Sequence, residues 1–214
     1  MLFRSANANR RLTESPTELD NHNELRGVSS FDTPHAMLWN VSYQTSRFAG
    51  RPRWLQGIFG RWQLSTVFLA KAGTPFSVLS GSDAPGIGNV DGQQSDNPIL
   101  LDPSILGGSV DHPDTAAAQL PRSAFAFIQP GEARGNLGRN TFRRDGIFNV
   151  NAGLSKRWTI SGDNALLFRA EALNVFNHPQ FASPGSSLAA RNFSLIDNTL
   201  NDGRTFKFTL RFSF

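Results

Sequence analysis

The chain has 214 residues, with 21 Lys and Arg against 17 Asp and Glu, and the small excess of cations is spread along its length. That distribution excludes a basic nucleic-acid-binding arm, and the complete absence of cysteine excludes disulfides, zinc-thiolate sites and thiol nucleophiles while leaving the compartment open. With 19 Gly, 18 Phe, 12 Pro and only 18% charged residues, the composition describes a turn-rich all-β protein in which helix is minor.

The opening "MLFRSANANRRL" lacks the apolar stretch of a secretory signal, and nowhere does an apolar run reach the length of a membrane-spanning helix. Residues 1–35 are expected to hold a partial strand and an extracellular loop. The first clear strand is "MLWNVSY", where Met37, Trp39, Val41 and Tyr43 share a face opposite Leu38, Asn40 and Ser42. A basic connection of moderate length follows, "SRFAGRPRWLQGIFG". In "WQLSTVFLA" the next strand sets Trp62, Leu64, Thr66, Phe68 and Ala70 against Gln63, Ser65, Val67 and Leu69.

A connection of over 70 residues, 73–146, shows no regular period and reads as a long structureless outer loop. In "FNVNAGLSKRW" the third strand sets Phe148, Val150, Ala152 and Leu154 against Asn149, Asn151, Gly153 and Ser155. The short "TISGDN", with Gly162 and Asp163, reads as a hairpin turn. The fourth strand, "LLFRAEA", sets Leu166, Phe168, Ala170 and Ala172 against Leu167, Arg169 and Glu171. A second long outer loop, 177–203, leads to "TFKFTLRFSF", where Phe206, Phe208, Leu210, Phe212 and Phe214 alternate with Thr205, Lys207, Thr209, Arg211 and Ser213.

Strands of this length suit a tilted crossing of the hydrocarbon layer, and short and long connections alternate as in bacterial outer-membrane barrels, whose short turns are periplasmic. The expected fold is therefore an antiparallel transmembrane β-barrel segment of about five to six strands within residues 36–214, which the resemblance given below makes the C-terminal part of the barrel. The last strand then runs inward and places Phe214 at the periplasmic rim. Trp158 and Lys156 fall where an aromatic girdle and a snorkelling lysine belong. Asn149, Asn151, Arg169, Glu171, Lys207 and Arg211 are the expected lumen-facing polar residues, with Arg169 and Glu171 able to pair in a wet wall.

A soluble β-sandwich that binds a glycan or protein through 73–146 alternates equally well, and a small barrel closed by several copies is a further alternative. Nothing points to catalysis. "GIGNVDG" lacks phosphate-loop spacing, no Ser lies in GxSxG, and His22, His35, His112 and His178 show no metal-ligand spacing, so no enzyme, metal or cofactor is expected. "NLGRN", Asn136 to Asn140, is a loop-to-strand turn or a ligand-contacting loop.

The segments "RGVSSFDTPHAMLWNVSY", "GRWQLSTVFLAKAGTPFSV", "GNLGRNTFRRDGIFNVNAGLSKRW", "LLFRAEALNVFNHPQFASP" and "FKFTLRFSF" together resemble the C-terminal part of the barrel in Oar-like TonB-dependent outer-membrane transporters, from about Arg26 to Phe214. The resemblance implies a location in the outer membrane of a Gram-negative-type bacterium and import of a solute through a 22-stranded barrel with a plug inside. It also implies energy from the TonB system, engaged by N-terminal parts that the sequence does not show. It makes Phe206, Phe208, Leu210, Phe212 and Phe214 the signal read by the outer-membrane assembly machinery. Outer-membrane lipid and the rest of the barrel and plug are the other implied partners; nucleic acid is not one. Five or six strands cannot enclose a lumen, so the chain is expected to be a fragment whose sheet stays open in isolation.

Overall fold

The structure is a computed structural model that describes residues 27–90, 94, 96–107, 117–129, 131–132 and 134–214. Most of the expected partial strand and loop of 1–35 lies outside the described residues. The described chain divides into two compact units, one of which is a single twisted sheet with its turns, and the other the folded long connections.

The sheet unit holds His35–Lys71, Ile147–Pro179 and Asn201–Phe214. Its strands are β1 (Ala36–Gln44), β2 (Gln63–Lys71), β7 (Ile147–Ser161), β8 (Asn164–Leu173) and β9 (Thr205–Ser213), hydrogen-bonded in the order β1-β2-β7-β8-β9. Every pairing is antiparallel, so each strand neighbours the one before it in the sheet, as in a barrel wall. These are the five alternating segments read from the sequence. The third is longer at both ends than "FNVNAGLSKRW", because Thr159–Ser161 continues pairing to Asn164 through an irregular register. Only Gly162 and Asp163 then remain for the β7–β8 turn, and Gly162 takes φ +56 at the first central position, which a residue without Cβ adopts at no steric cost.

Register keeps the two side-chain sets apart from strand to strand. Trp39 faces Phe68, and Phe68 faces Val150; Leu64 faces Leu154, which faces Ala170, which faces Phe208. A slip of one residue in any pair would mix the faces, so the hydrophobic pattern specifies the pairing. Among the described residues, β1 and β9 are each paired on one side only, and the sheet is open.

The β1–β2 connection is more than a turn. It extends the ladder by one step, with Thr45 N donating to Trp62 O at 2.8 Å, and then forms a short helix, α1 (Arg53–Phe59). Pro52 starts the helix, where its missing N–H costs nothing. Gly60 stops it in extended conformation, and a Cβ there would meet the Gln56 carbonyl oxygen at 2.8 Å and that of Arg47 at 2.9 Å.

The second unit gathers the described residues of 27–34, 72–146 and 180–200. The expectation of a structureless 73–146 is corrected here. Phe76, Val78, Leu120, Ala124, Phe125, Leu137 and Phe142 from the first connection form one buried cluster with Leu188, Phe193 and Ile196 from the second. Two small sheets support it, β3 (Pro75–Phe76) with β6 (Phe142–Arg143) and β4 (Ile99–Leu100) with β5 (Phe125–Ala126). Arg122 joins the two connections by donating to the carbonyls of Leu188 and Ala190 while its guanidinium lies 5.2 Å from the centre of the Phe193 ring. Neither connection has a helical or strand period because its apolar residues meet partners dozens of residues away, which leaves no local signal.

Candidate functional site

Two surfaces of the sheet carry the chemistry. On the face of Met37, Leu64, Val150, Ala170 and Phe208, the large rings gather in two bands. Near one rim, Trp39 lies 6.1 Å from Phe68, Phe68 lies 5.3 Å from Phe148, and Phe148 lies 6.3 Å from Phe176. Near the other, Trp62 meets Trp158 and Phe168 edge to face, each at 6.1 Å, and Phe212 lies 6.1 Å from Phe214. Between the bands the same face shows Val150, Ala152 and Leu154 on β7 and Ala170 and Ala172 on β8.

The spacing of the bands has a physical meaning. Phe148 and Trp158 are ten residues apart on β7, or about 33 Å along a strand, and a tilt of about 40° reduces that to roughly 25 Å. This is the height of the apolar band of an outer-membrane barrel, which is flanked by aromatic girdles. On the edge strands β1 and β9 this face is bare, with Trp39, Val41, Tyr43, Phe208 and Leu210 each more than half exposed, while on β7 and β8 it is largely half-buried. A strip of this size in contact with water would be an aggregation site, whereas lipid satisfies it.

Lys156 departs from the snorkelling expected of it. Its side chain is 4% exposed, and Nζ donates to Ile58 O at 3.1 Å and to Gly60 O at 2.5 Å. The ammonium sits between two indoles, 5.3 Å from the Trp62 ring and 5.4 Å from the Trp158 ring. Both tryptophans also serve α1, Trp158 Nε1 donating to Gly57 O at 2.8 Å and Trp62 Nε1 to Ile58 O at 2.7 Å. The last carbonyls of a helix have no intrahelical partners. Here three side chains from the aromatic face supply them, so the lysine is covered by the helix instead of reaching water.

The opposite face carries the polar residues singled out in the sequence, in aligned rows. Gly153, Glu171 and Lys207 are cross-strand neighbours, as are Ser155, Arg169 and Thr209, and Arg157, Leu167 and Arg211. Arg169 and Glu171 form an ion pair at 2.6 Å. Asn149 and Asn151 share this face on β7, opposite Leu69 and Val67. Asn151 is committed internally, its Oδ1 accepting from Asn174 N at 2.9 Å, where Asn174 turns the chain at the end of β8 with φ +52. In these rows four cations, Arg157, Arg169, Lys207 and Arg211, stand against the single carboxylate of Glu171.

The "NLGRN" segment is a structural knot. Asn140, at φ +53, donates from Nδ2 to Val28 O at 2.6 Å and to Ser30 Oγ at 3.2 Å, and accepts from Ser77 Oγ at 3.1 Å. Asn136 Oδ1 accepts from Leu100 N at 2.6 Å. These amides are spent on backbone and neighbouring hydroxyls, as a loop-to-strand turn requires. His22 and His112 lie outside the described residues, and among the described residues no group of His, Asp and Glu is placed to hold a metal ion.

Residues the sequence did not single out are Trp54, Ile58 and Phe59 on α1 and the arginines around them. The available signal was the apolar pair Trp54 and Ile58 at helical spacing directly after Pro52, in a segment too short for periodicity to be decisive.

No curated protein and no solved structure matches the chain. A family model does: the one described as "Outer membrane beta barrel domain" matches residues 3–207. With that match over most of its length, and a sheet whose girdled face has the height of a membrane, the chain belongs to the outer membrane beta barrel domain family and resides in the outer membrane.

Proposed function

We propose that these strands are the C-terminal wall of a TonB-dependent outer-membrane transporter, in which the polar face lines the solute path and the folded long connections form part of the outer surface that captures the solute. The observation that carries this is the open, two-faced sheet. Five strands enclose no lumen, and lipid offers no partner for the free N–H and C=O groups along β1 and β9, so further strands must close the wall. The difference between connections supports an importer over a simple pore. One rim has the two-residue Gly162-Asp163 turn and the α1 connection, while the other opens into connections that share a hydrophobic core of their own.

In this reading the protein is not an enzyme and needs no cofactor; its partners are outer-membrane lipid, the remaining barrel and plug, and the TonB energy-coupling system. Phe206, Phe208, Leu210, Phe212 and Phe214 serve the assembly machinery; all five are exposed in β9 and just after it, and β9 pairs on one side only among the described residues. The test is uptake of candidate solutes in cells carrying the complete gene, with and without a functional TonB complex. Uptake that persists unchanged when the complex is removed or the proton gradient collapsed refutes active import and leaves a passive barrel.

A further inference from the structure

The connection between β1 and β2 contains a feature that a barrel wall does not need. Between Asp32 and Asp83 the sequence has no Asp or Glu, and within that stretch Arg47, Arg51, Arg53 and Arg61 flank α1. All four arginines are exposed. No carboxylate neighbours them along the chain, and at the rim they share with the β7–β8 turn Asp163 is the acidic residue of that turn. On α1 itself, Leu55, Gln56 and Gly57 are half-buried toward the sheet, while Trp54, Ile58 and Phe59 are each more than half exposed. The helix therefore carries an apolar side away from the protein, the reverse of a helix docked on a core and exposed to water.

Where α1 is seated decides what that apolar side meets. Its final carbonyls are held by Trp62, Lys156 and Trp158, all on the girdled face of the sheet and at the rim shared by the β7–β8 turn and Phe214. The exposed side of α1 is thus continuous with the girdle, and not with the polar wall. Tight backbone fixes it there: Phe48, Gly50 and Arg61 all have positive φ, and Arg61 N donates to Ser46 O at 3.2 Å. An apolar helix side ringed by cations at a membrane boundary matches acyl chains below and phosphates above.

We propose that this elbow is a binding site for anionic phospholipid of the periplasmic leaflet, with Trp54, Ile58 and Phe59 at the acyl boundary and Arg47, Arg51, Arg53 and Arg61 on the headgroup phosphates. The inference rests on the girdled face being the lipid face and on the short-turn rim being periplasmic, but not on the transported solute or its energy source. It assigns the elbow a lipid-selecting role distinct from the general hydrophobic belt.

The test uses the protein extracted from its outer membrane and placed in nanodiscs of phosphatidylcholine containing either brominated phosphatidylglycerol or brominated phosphatidylcholine as quencher. The Trp54 signal is the difference between wild type and Trp54→Phe, and the Trp39 signal is obtained likewise from Trp39→Phe. Trp54 should be quenched more strongly by the anionic quencher, with a preference of roughly fivefold for each arginine engaged. That preference should fall at least tenfold when all four arginines are changed to Gln, and in unmodified protein it should shrink as salt is raised, which covers a variant that fails to assemble. Equal quenching by the two lipids, unaffected by salt or by the Arg→Gln changes, overturns the headgroup site. Quenching of Trp39 without Trp54 places the elbow in water and overturns the proposal while sparing the barrel; absence of quenching at both overturns the assignment of the lipid face as well.

Discussion

Lys156→Met tests whether the rim elbow is held by side chains of the sheet. The substitution keeps an unbranched side chain one heavy atom shorter and removes its charge and donors. Gly60 O then loses its side-chain donor while remaining buried, at about 2 kcal/mol. Ile58 O keeps Trp62 Nε1 at 2.7 Å, so losing Lys156 there costs only about 1 kcal/mol. Contact with the two indoles contributes about 1 kcal/mol more. Against this, an ammonium no longer has to be held out of water, which returns about 3 kcal/mol even after relaxation. The net is about 1 kcal/mol, or roughly a fivefold rise in opening of the elbow. Amide exchange in the folded protein reads it directly: Gly60 N, bonded to Gln56 O at 3.1 Å, and Arg61 N should exchange faster, with β7 and β8 unaffected. Unchanged exchange at these amides would show that the indole hydrogen bonds of Trp62 and Trp158 suffice to hold α1 and that the lysine is incidental.

Three further outcomes follow from the structure. Gly73→Ala places a Cβ 1.7 Å from the Arg144 carbonyl oxygen, a backbone atom that no side-chain rotation can move, and should cost about 1–3 kcal/mol or more in the folded connections, whereas Gly138→Ala, whose nearest neighbour is Thr141 Oγ1 at 3.5 Å, should be tolerated; limited proteolysis within 72–146 distinguishes them. Asn140→Ala removes three side-chain hydrogen bonds and the residue type that best accepts φ +53, for a loss of about 2–4 kcal/mol, and Asn140→Gly, which restores only the backbone freedom, should recover a small part of it in thermal unfolding of that unit. Changing Lys207 and Arg211 together to Glu reverses the sign of the polar wall and should lower the anion-to-cation permeability ratio in planar bilayers severalfold; an unchanged ratio would mean that this face does not border the solute path.

Much of the sheet was legible because a strand's two faces are separated by a period of two wherever the strand ends up. Phe206, Phe208, Leu210 and Phe212 share a face by backbone geometry alone, and once Leu64, Leu154, Ala170 and Phe208 must lie together, the register follows. A tight turn around Gly162 and Asp163 was visible within "TISGDN", while its two-residue length came from the continued pairing of Thr159–Ser161. The polar candidates were legible as a set but not in their individual uses. Asn151 reads like Asn149, yet it holds the backbone of Asn174, a contact that depends on how β8 ends.

By itself the sequence determined that this protein is a membrane-height ribbon with one greasy and one wettable side, because alternation and connection length are local properties that survive any arrangement of neighbours. Only the tertiary structure decided that Lys156 would cap a helix instead of reaching water, and that the two long connections would share one core. Those outcomes depend on Gly60 meeting Lys156 and on Phe125 meeting Phe193, at 5.6 Å between ring centres, across stretches of chain that carry no common period. Their free energy comes from burying carbonyls and rings that no neighbour in sequence can cover, so it exists only once the chain has folded back on itself.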